Sequence, residues 1–107
     1  MYSSTFAETV SLLMEATGFD KQLCEELVNE VYEQAINWLV SIKKACAENN
    51  FKEAGGLLHQ LKGSSGNVRM NELSKLALES EAAIKLMDYE MLGSLLGRME
   101  ESLEGFK

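Results

Sequence analysis

Proline is absent from this chain of 107 residues, histidine occurs once, tryptophan once and cysteine twice. Without proline, no residue locks φ or removes a backbone donor, so nothing in the sequence interrupts long helices. A structural zinc site takes about four Cys or His ligands. The chain has only His59, Cys24 and Cys46, widely scattered and without a CxxC pair, so no metal site is expected and the cysteines read as reduced, buried thiols. Long apolar runs are missing too: none approaches the roughly 20 residues of a membrane span. The N-terminus MYSSTFAETVSLLMEATG lacks the basic start and cleavage pattern of a signal peptide. A cytoplasmic location and no membrane partner are expected. Basic residues are also scarce, ten against seventeen acidic ones, and the formal charge of -7 argues against nucleic acid as a partner.

What is present suits a folded domain. Hydrophobic residues make up 46% of the chain and charged ones 25%, well outside the disordered class. The length fits one domain over residues 1–107.

Alternating strand patterns are hard to find, whereas apolar residues recur at helical period in five segments. The first opens on the capping box Thr5-Phe-Ala-Glu8 and carries Phe6, Val10, Leu13, Met14 and Thr17 on one face, with Gly18 placed to end it. Asp20 caps the second, with Phe19 and Cys24 spaced as a hydrophobic staple; its stripe runs Leu23, Leu27, Val31, Ala35, Trp38, Leu39, Ile42 and Cys46. Asn50 and Glu53 open the third segment. Asn71 starts the fourth, with Leu73, Leu76, Ala77, Ser80, Ile84 and Met87 inward, and Asp88 the fifth, with Leu92, Leu95, Leu96, Met99, Leu103 and Phe106 inward. No single stripe can be buried alone, and the joints are short. The expected fold is all-α: an antiparallel four-helix bundle with an additional short N-terminal helix.

The third segment is the unusual one. GGLLHQLKGSSG, from Gly55 to Gly66, places four of the eight glycines around the single histidine. Each glycine in a helix interior costs about 1 kcal/mol relative to alanine. At about 100° per residue, Ala54, Leu57, Leu58, Leu61, Ser64, Ser65 and Val68 face the core, and His59 points away from it. Gly55, Gly56, Lys62 and Gly63 lie three and four residues from His59, with Gly66 and Lys52 seven away. An exposed imidazole on a nearly bare backbone, flanked by ammonium groups, suggests clearance for a partner that closes over the ring.

HQLKGSSGNV, from His59 to Val68, resembles the phosphoacceptor motif of histidine-containing phosphotransfer (HPt) domains, H-x-x-K-G followed by small residues. His59, Lys62, Gly63, Ser64 and Ser65 match it. The similarity extends to the joint Glu48-Asn-Asn50 before the helix, to Leu73 opening the next one and to Glu81 near that helix's usual acidic position. Arg69 departs from the pattern, because many family members carry glycine there, and the end of the third helix is left open.

The resemblance implies a phosphorelay intermediate in a multistep two-component system. His59 would accept a phosphoryl group from a receiver-domain aspartate and pass it to a response-regulator aspartate, with Lys62 steadying the phosphoryl oxygens and Gly63 giving clearance. Gly55, Gly56, Gly66 and Lys52 would belong to the docking surface. The partners would be receiver domains of a hybrid histidine kinase and of a response regulator, which would bring Mg²⁺; the chain itself would need no cofactor. It would be a phosphohistidine carrier rather than an enzyme with kinase activity, since neither a P-loop nor a kinase glycine loop occurs. A monomer is expected, and the starting Met1 favours a free-standing protein over a piece of a larger kinase. The alternative is a non-catalytic helical adaptor that binds a partner through the glycine-rich face. Dimeric sensor-kinase phosphoacceptor elements fit less well, because they usually follow histidine with an acidic residue and a nearby proline.

Overall fold

The computed structural model describes residues 5–107, and among them every regular element is a helix. They are α1 (Phe6–Thr17), α2 (Lys21–Ala47), α3 (Phe51–Asn67), α4 (Asn71–Lys85) and α5 (Tyr89–Glu104). The first three begin on the side chains that the sequence offers. Thr5 Oγ1 accepts the Glu8 N–H at 3.2 Å while Glu8 Oε1 accepts the Thr5 N–H at 2.9 Å, completing the capping box. Asp20 Oδ1 accepts from the Leu23 N–H at 2.8 Å, and Asn50 Oδ1 from the Glu53 N–H at 3.2 Å. Asp88 does the same for α5 through the Met91 N–H, at 3.1 Å. At α4 the residue in the cap position is Met70, which offers no side-chain hydrogen bond.

Three helix ends share one solution. After α2, α3 and α4, the residue past the C-cap takes a left-handed conformation: Asn49 at φ 58°, Arg69 at φ 70° and Met87 at φ 56°. The next N–H then reaches back to a helical carbonyl, Asn50 to Ala45 at 2.8 Å, Met70 to Ser65 at 2.8 Å and Asp88 to Ala83 at 2.9 Å. This is the Schellman arrangement, in which orphan carbonyls find donors. Each of those donor residues is also the N-cap of the following helix, so three residues (Glu48 to Asn50, for example) reverse the chain. Arg69 therefore replaces the expected glycine without moving the helix end; it pays in backbone strain instead.

Packing follows the chain: α2 against α3, α3 against α4 and α4 against α5, with α5 returning to α2. The core between them includes Val28, Ile42, Leu58, Leu61, Leu73 and Met99, all essentially sealed from solvent. At 27 residues α2 is much the longest element. Its length of about 40 Å matches the 42 Å long axis of the molecule, and α1 packs on it. Phe106 ties the ends together: its ring meets Phe6 edge-on at 5.9 Å and stacks on Tyr32 at 5.3 Å, and its carbonyl accepts the Phe6 N–H at 2.8 Å.

Several expected contacts differ. On α2 the buried residues at the start are Cys24 and Val28, whereas Leu23 is 40% exposed. The reason is geometric: strict four-residue steps drift about 40° each on a straight helix. Counting back from Ala35, Leu23 has turned about 120° off the core face and Cys24 only about 20°. The staple is not formed as expected, since Phe19 is exposed; Cys24 Sγ instead lies 3.8 Å from the Phe19 carbonyl. Thr17 is exposed and turns its hydroxyl back to the Leu13 carbonyl at 2.7 Å. Met87, expected inside, is 74% exposed because it occupies the left-handed joint rather than the last turn of α4. Of the two free cysteines, Cys24 is buried and Cys46 half-buried.

Candidate functional site

The middle of α3 is held from below. Ala54, Leu58, Leu61 and Ser65 are buried, and the Ser65 hydroxyl is satisfied by the Leu61 carbonyl at 2.6 Å. With that face fixed, His59 projects outward with 69% of its side chain exposed.

Its ring has a neighbour on α4. Glu81 Oε2 lies 3.4 Å from His59 Nδ1, and Glu81 Oε1 lies 3.0 Å from Lys62 Nζ. The carboxylate is 15% exposed and Lys62 only 29%, so the ammonium is folded against the α3–α4 seam rather than free in solvent. Oε1 is cut off from water, and its contact with Lys62 is an ion pair without hydrogen-bond alignment. One carboxylate thus bridges the imidazole and the lysine. The ring is turned with Nδ1 toward Glu81, which leaves Nε2 on the side away from it.

The glycines separate into two kinds. A Cβ built on Gly55, Gly56 or Gly63 would meet nothing within 4 Å, so the space over these residues is open. Gly66 is different: its Cβ would stand 3.2 Å from Ser74 Oγ. That hydroxyl donates to the Lys62 carbonyl at 3.0 Å. Gly66 therefore serves the close approach of α3 and α4, and the expectation that it belongs to a cleared outer surface is corrected. Lys52, the second residue of α3, is exposed, as is Gln60.

Glu81 and Ser74 are the residues whose part in this site the sequence left unstated. Helical spacing within α3 placed His59, Lys62 and Gly63 together, but it carries no information about which α4 residues face them. Among the described residues, no group of three or more His, Cys, Asp or Glu side chains is placed to hold a metal ion, and no helix is long and apolar enough to cross a membrane.

Comparison with protein-family profiles matches the Hpt domain over residues 21–107, the span from the start of α2 to the end of the chain. The chain belongs to the Hpt domain family. Comparison with curated proteins and with solved structures found no match. Hpt domains are phosphotransfer carriers in two-component signalling, not kinases, and they work with phosphorelay kinases and response regulators. Membership gives this chain that general role. The profile match begins at Lys21 and so leaves α1 outside it.

Proposed function

We propose that His59 is the phosphoacceptor of an antiparallel four-helix Hpt bundle spanning residues 1–107, and that it relays phosphoryl groups between receiver-domain aspartates. The observation that carries this reading is the exposed imidazole with its Nδ1 on Glu81 and its Nε2 turned away.

The chemistry follows from that orientation. Phosphoryl transfer is mostly positioning and charge neutralisation. With the proton on Nδ1, the Nε2 lone pair attacks the phosphorus of an aspartyl phosphate. The N–P bond forms, the P–O bond to the aspartate breaks, and the carboxylate leaves with the electron pair. The phosphorylated ring keeps its Nδ1 proton and gains positive charge, which a carboxylate at 3.4 Å offsets. Lys62, one turn along α3, supplies positive charge for the phosphoryl oxygens. The reverse transfer uses the same atoms.

The open backbone at Gly63, with Gly55, Gly56 and Lys52 on the other side of His59, receives the partner. The receiver brings the acidic pocket, its Mg²⁺ and the acceptor aspartate; the carrier works as a cytoplasmic monomer without a cofactor of its own. Incubation with phosphorylated receiver domains encoded in the same genome tests this: acid-labile label should move to the chain within the assay and be lost in His59→Gln. Label retained by His59→Gln, or no label from any receiver, would leave the binding-only adaptor as the better account.

A further inference from the structure

The contact between α3 and α4 has two layers. In one, Glu81 bridges His59 and Lys62. In the other, the half-buried Ser74 donates its hydroxyl to the Lys62 carbonyl at 3.0 Å, and Gly66 leaves room for it: a Cβ there would stand 3.2 Å from Ser74 Oγ and 3.9 Å from Ser74 Cβ. Gly66 follows His59 by seven residues, and Ser74 precedes Glu81 by seven. Seven residues return an α-helix to within about 20° of the same face and advance it by about 10.5 Å. The two layers therefore lie along one antiparallel seam, and a contact that sets the register of one sets that of the other.

Both layers hold Lys62, Ser74 by its main chain and Glu81 by its ammonium. Leu58 and Leu61 on α3 and Leu73, Leu76 and Ala77 on α4 are buried, but apolar burial is non-directional. A hydrogen bond has a length and an angle to satisfy, so it limits how far one helix can slide along the other. The Ser65 hydroxyl also lies 3.3 Å from the Lys62 carbonyl, but it belongs to α3 and cannot set the register of α4. The margin at the ring is small. N–H···O hydrogen bonds span about 2.7–3.2 Å, and Glu81 Oε2 is already 3.4 Å from His59 Nδ1. A slip of one residue along the seam is about 1.5 Å, enough to take the carboxylate off the ring.

We propose that Ser74 is a positioning residue for phosphoryl transfer at His59. Its hydroxyl, seated against Gly66, fixes the register of α4 on α3 and so places the Glu81 carboxylate where it meets both Nδ1 of the ring and the Lys62 ammonium. Ser74 lies about 10.5 Å along α4 from Glu81, and its effect on the imidazole passes through that carboxylate. The inference rests on the reading of His59 as the phosphoacceptor, but its claim about the ring can be read in the free chain, without a receiver.

The test is a double-mutant cycle in the intact chain with Ser74→Ala, Glu81→Gln and both together. Ser74→Ala deletes one oxygen and introduces no clash. Ring ¹⁵N shifts of the free chain should show a smaller share of the Nδ1–H tautomer in Ser74→Ala, in the same direction as in Glu81→Gln. Phosphoryl acceptance from a phosphorylated receiver should slow by about threefold in Ser74→Ala, and the double variant should be no slower than Glu81→Gln alone, because residues acting through one network are not additive. A serine that only stabilised the fold would leave the tautomer share in place, and its effect would multiply with that of Glu81→Gln. An unchanged tautomer share, an unchanged rate in Ser74→Ala, or multiplying effects would each overturn the proposal while the parent chain still takes label. No label on the parent chain from any receiver would overturn the phosphoacceptor reading, and this proposal with it.

Discussion

Glu81 on α4 and His59 on α3 meet across a helix seam, with carboxylate Oε2 3.4 Å from ring Nδ1. The same carboxylate holds Lys62 at 3.0 Å through its other oxygen. On the proposed reading Glu81 is a positioning residue, which would orient the ring and balance the charge that phosphorylation adds. Glu81→Gln keeps the shape and removes the charge. Phosphoryl acceptance should slow by roughly tenfold, which corresponds to about 1.4 kcal/mol of lost transition-state stabilisation. Ring ¹⁵N shifts should also report a smaller share of the Nδ1–H tautomer. Unchanged tautomer populations with an unchanged rate would remove Glu81 from the mechanism.

Lys62 answers to the same pair. Lys62→Met keeps most of the aliphatic stem and removes the ammonium, leaving Glu81 without its ion-pair partner. Acceptance should fall by about tenfold through the lost charge at the phosphoryl oxygens. A rate equal to that of the parent chain would make Lys62 a structural residue only.

Gly63 and Gly66 lie three residues apart on α3 and should respond in opposite ways. Nothing lies within 4 Å of a Cβ at Gly63, whereas one at Gly66 would be 3.2 Å from Ser74 Oγ. Gly63→Leu should leave the fold intact, with stability unchanged or raised by up to about 1 kcal/mol from helix propensity, and should slow transfer by obstructing the partner. Gly66→Leu forces a side chain into the α3–α4 contact and should destabilise by about 1–3 kcal/mol. Urea denaturation together with a transfer rate for each variant separates clearance from packing; equal effects of the two on both measurements would refute the distinction.

Arg69 and Met87 occupy left-handed positions at φ 70° and φ 56°, where a side chain is strained and glycine is not. Arg69→Gly and Met87→Gly should each stabilise the fold by about 1 kcal/mol, which for a domain of this size raises Tm by about 4–8 °C. Arg69 also reaches the Gly66 carbonyl through Nη1 at 3.4 Å, a long exposed contact whose loss should cost little. A fall in Tm for both variants would show that the joints draw stability from these side chains.

The half-buried Cys46 thiol has its pKa pushed up by desolvation, because burial disfavours the thiolate. At neutral pH its thiolate fraction is below that of a free cysteine, so alkylation by iodoacetamide should be slower than for a cysteine in a short peptide. Mass spectrometry over a time course measures this, and reaction at or above the peptide rate would contradict it.

Much of this molecule is legible along the chain because helices are local. Thr5, Asp20, Asn50 and Asp88 cap the helices they precede, and the α5 stripe from Leu92 to Phe106 is buried throughout. The orientation of His59 follows from the same 100° arithmetic, since Leu58 and Leu61 fix the opposite face. Counting in strict four-residue steps fails where the drift of about 40° per step accumulates, as over the twelve residues from Leu23 to Ala35, and helical period fails where the helix has ended, as at Met87. It is silent on contacts between helices. Glu81 can be assigned to His59 and Lys62, and Gly66 to Ser74, only when α3 and α4 are set side by side, because no periodicity within one helix records the register of its neighbour.

The central claim is that Nε2 of His59 carries the phosphoryl group. ³¹P NMR of the chain after transfer from a phosphorylated receiver tests it most directly, because the two ring positions and a serine ester give separate signals and differ in acid stability. The expected result is one acid-labile phosphohistidine signal of the Nε2 type, absent from His59→Gln. A signal from the Nδ1 position, or an acid-stable ester at Ser64 or Ser65, would contradict the account.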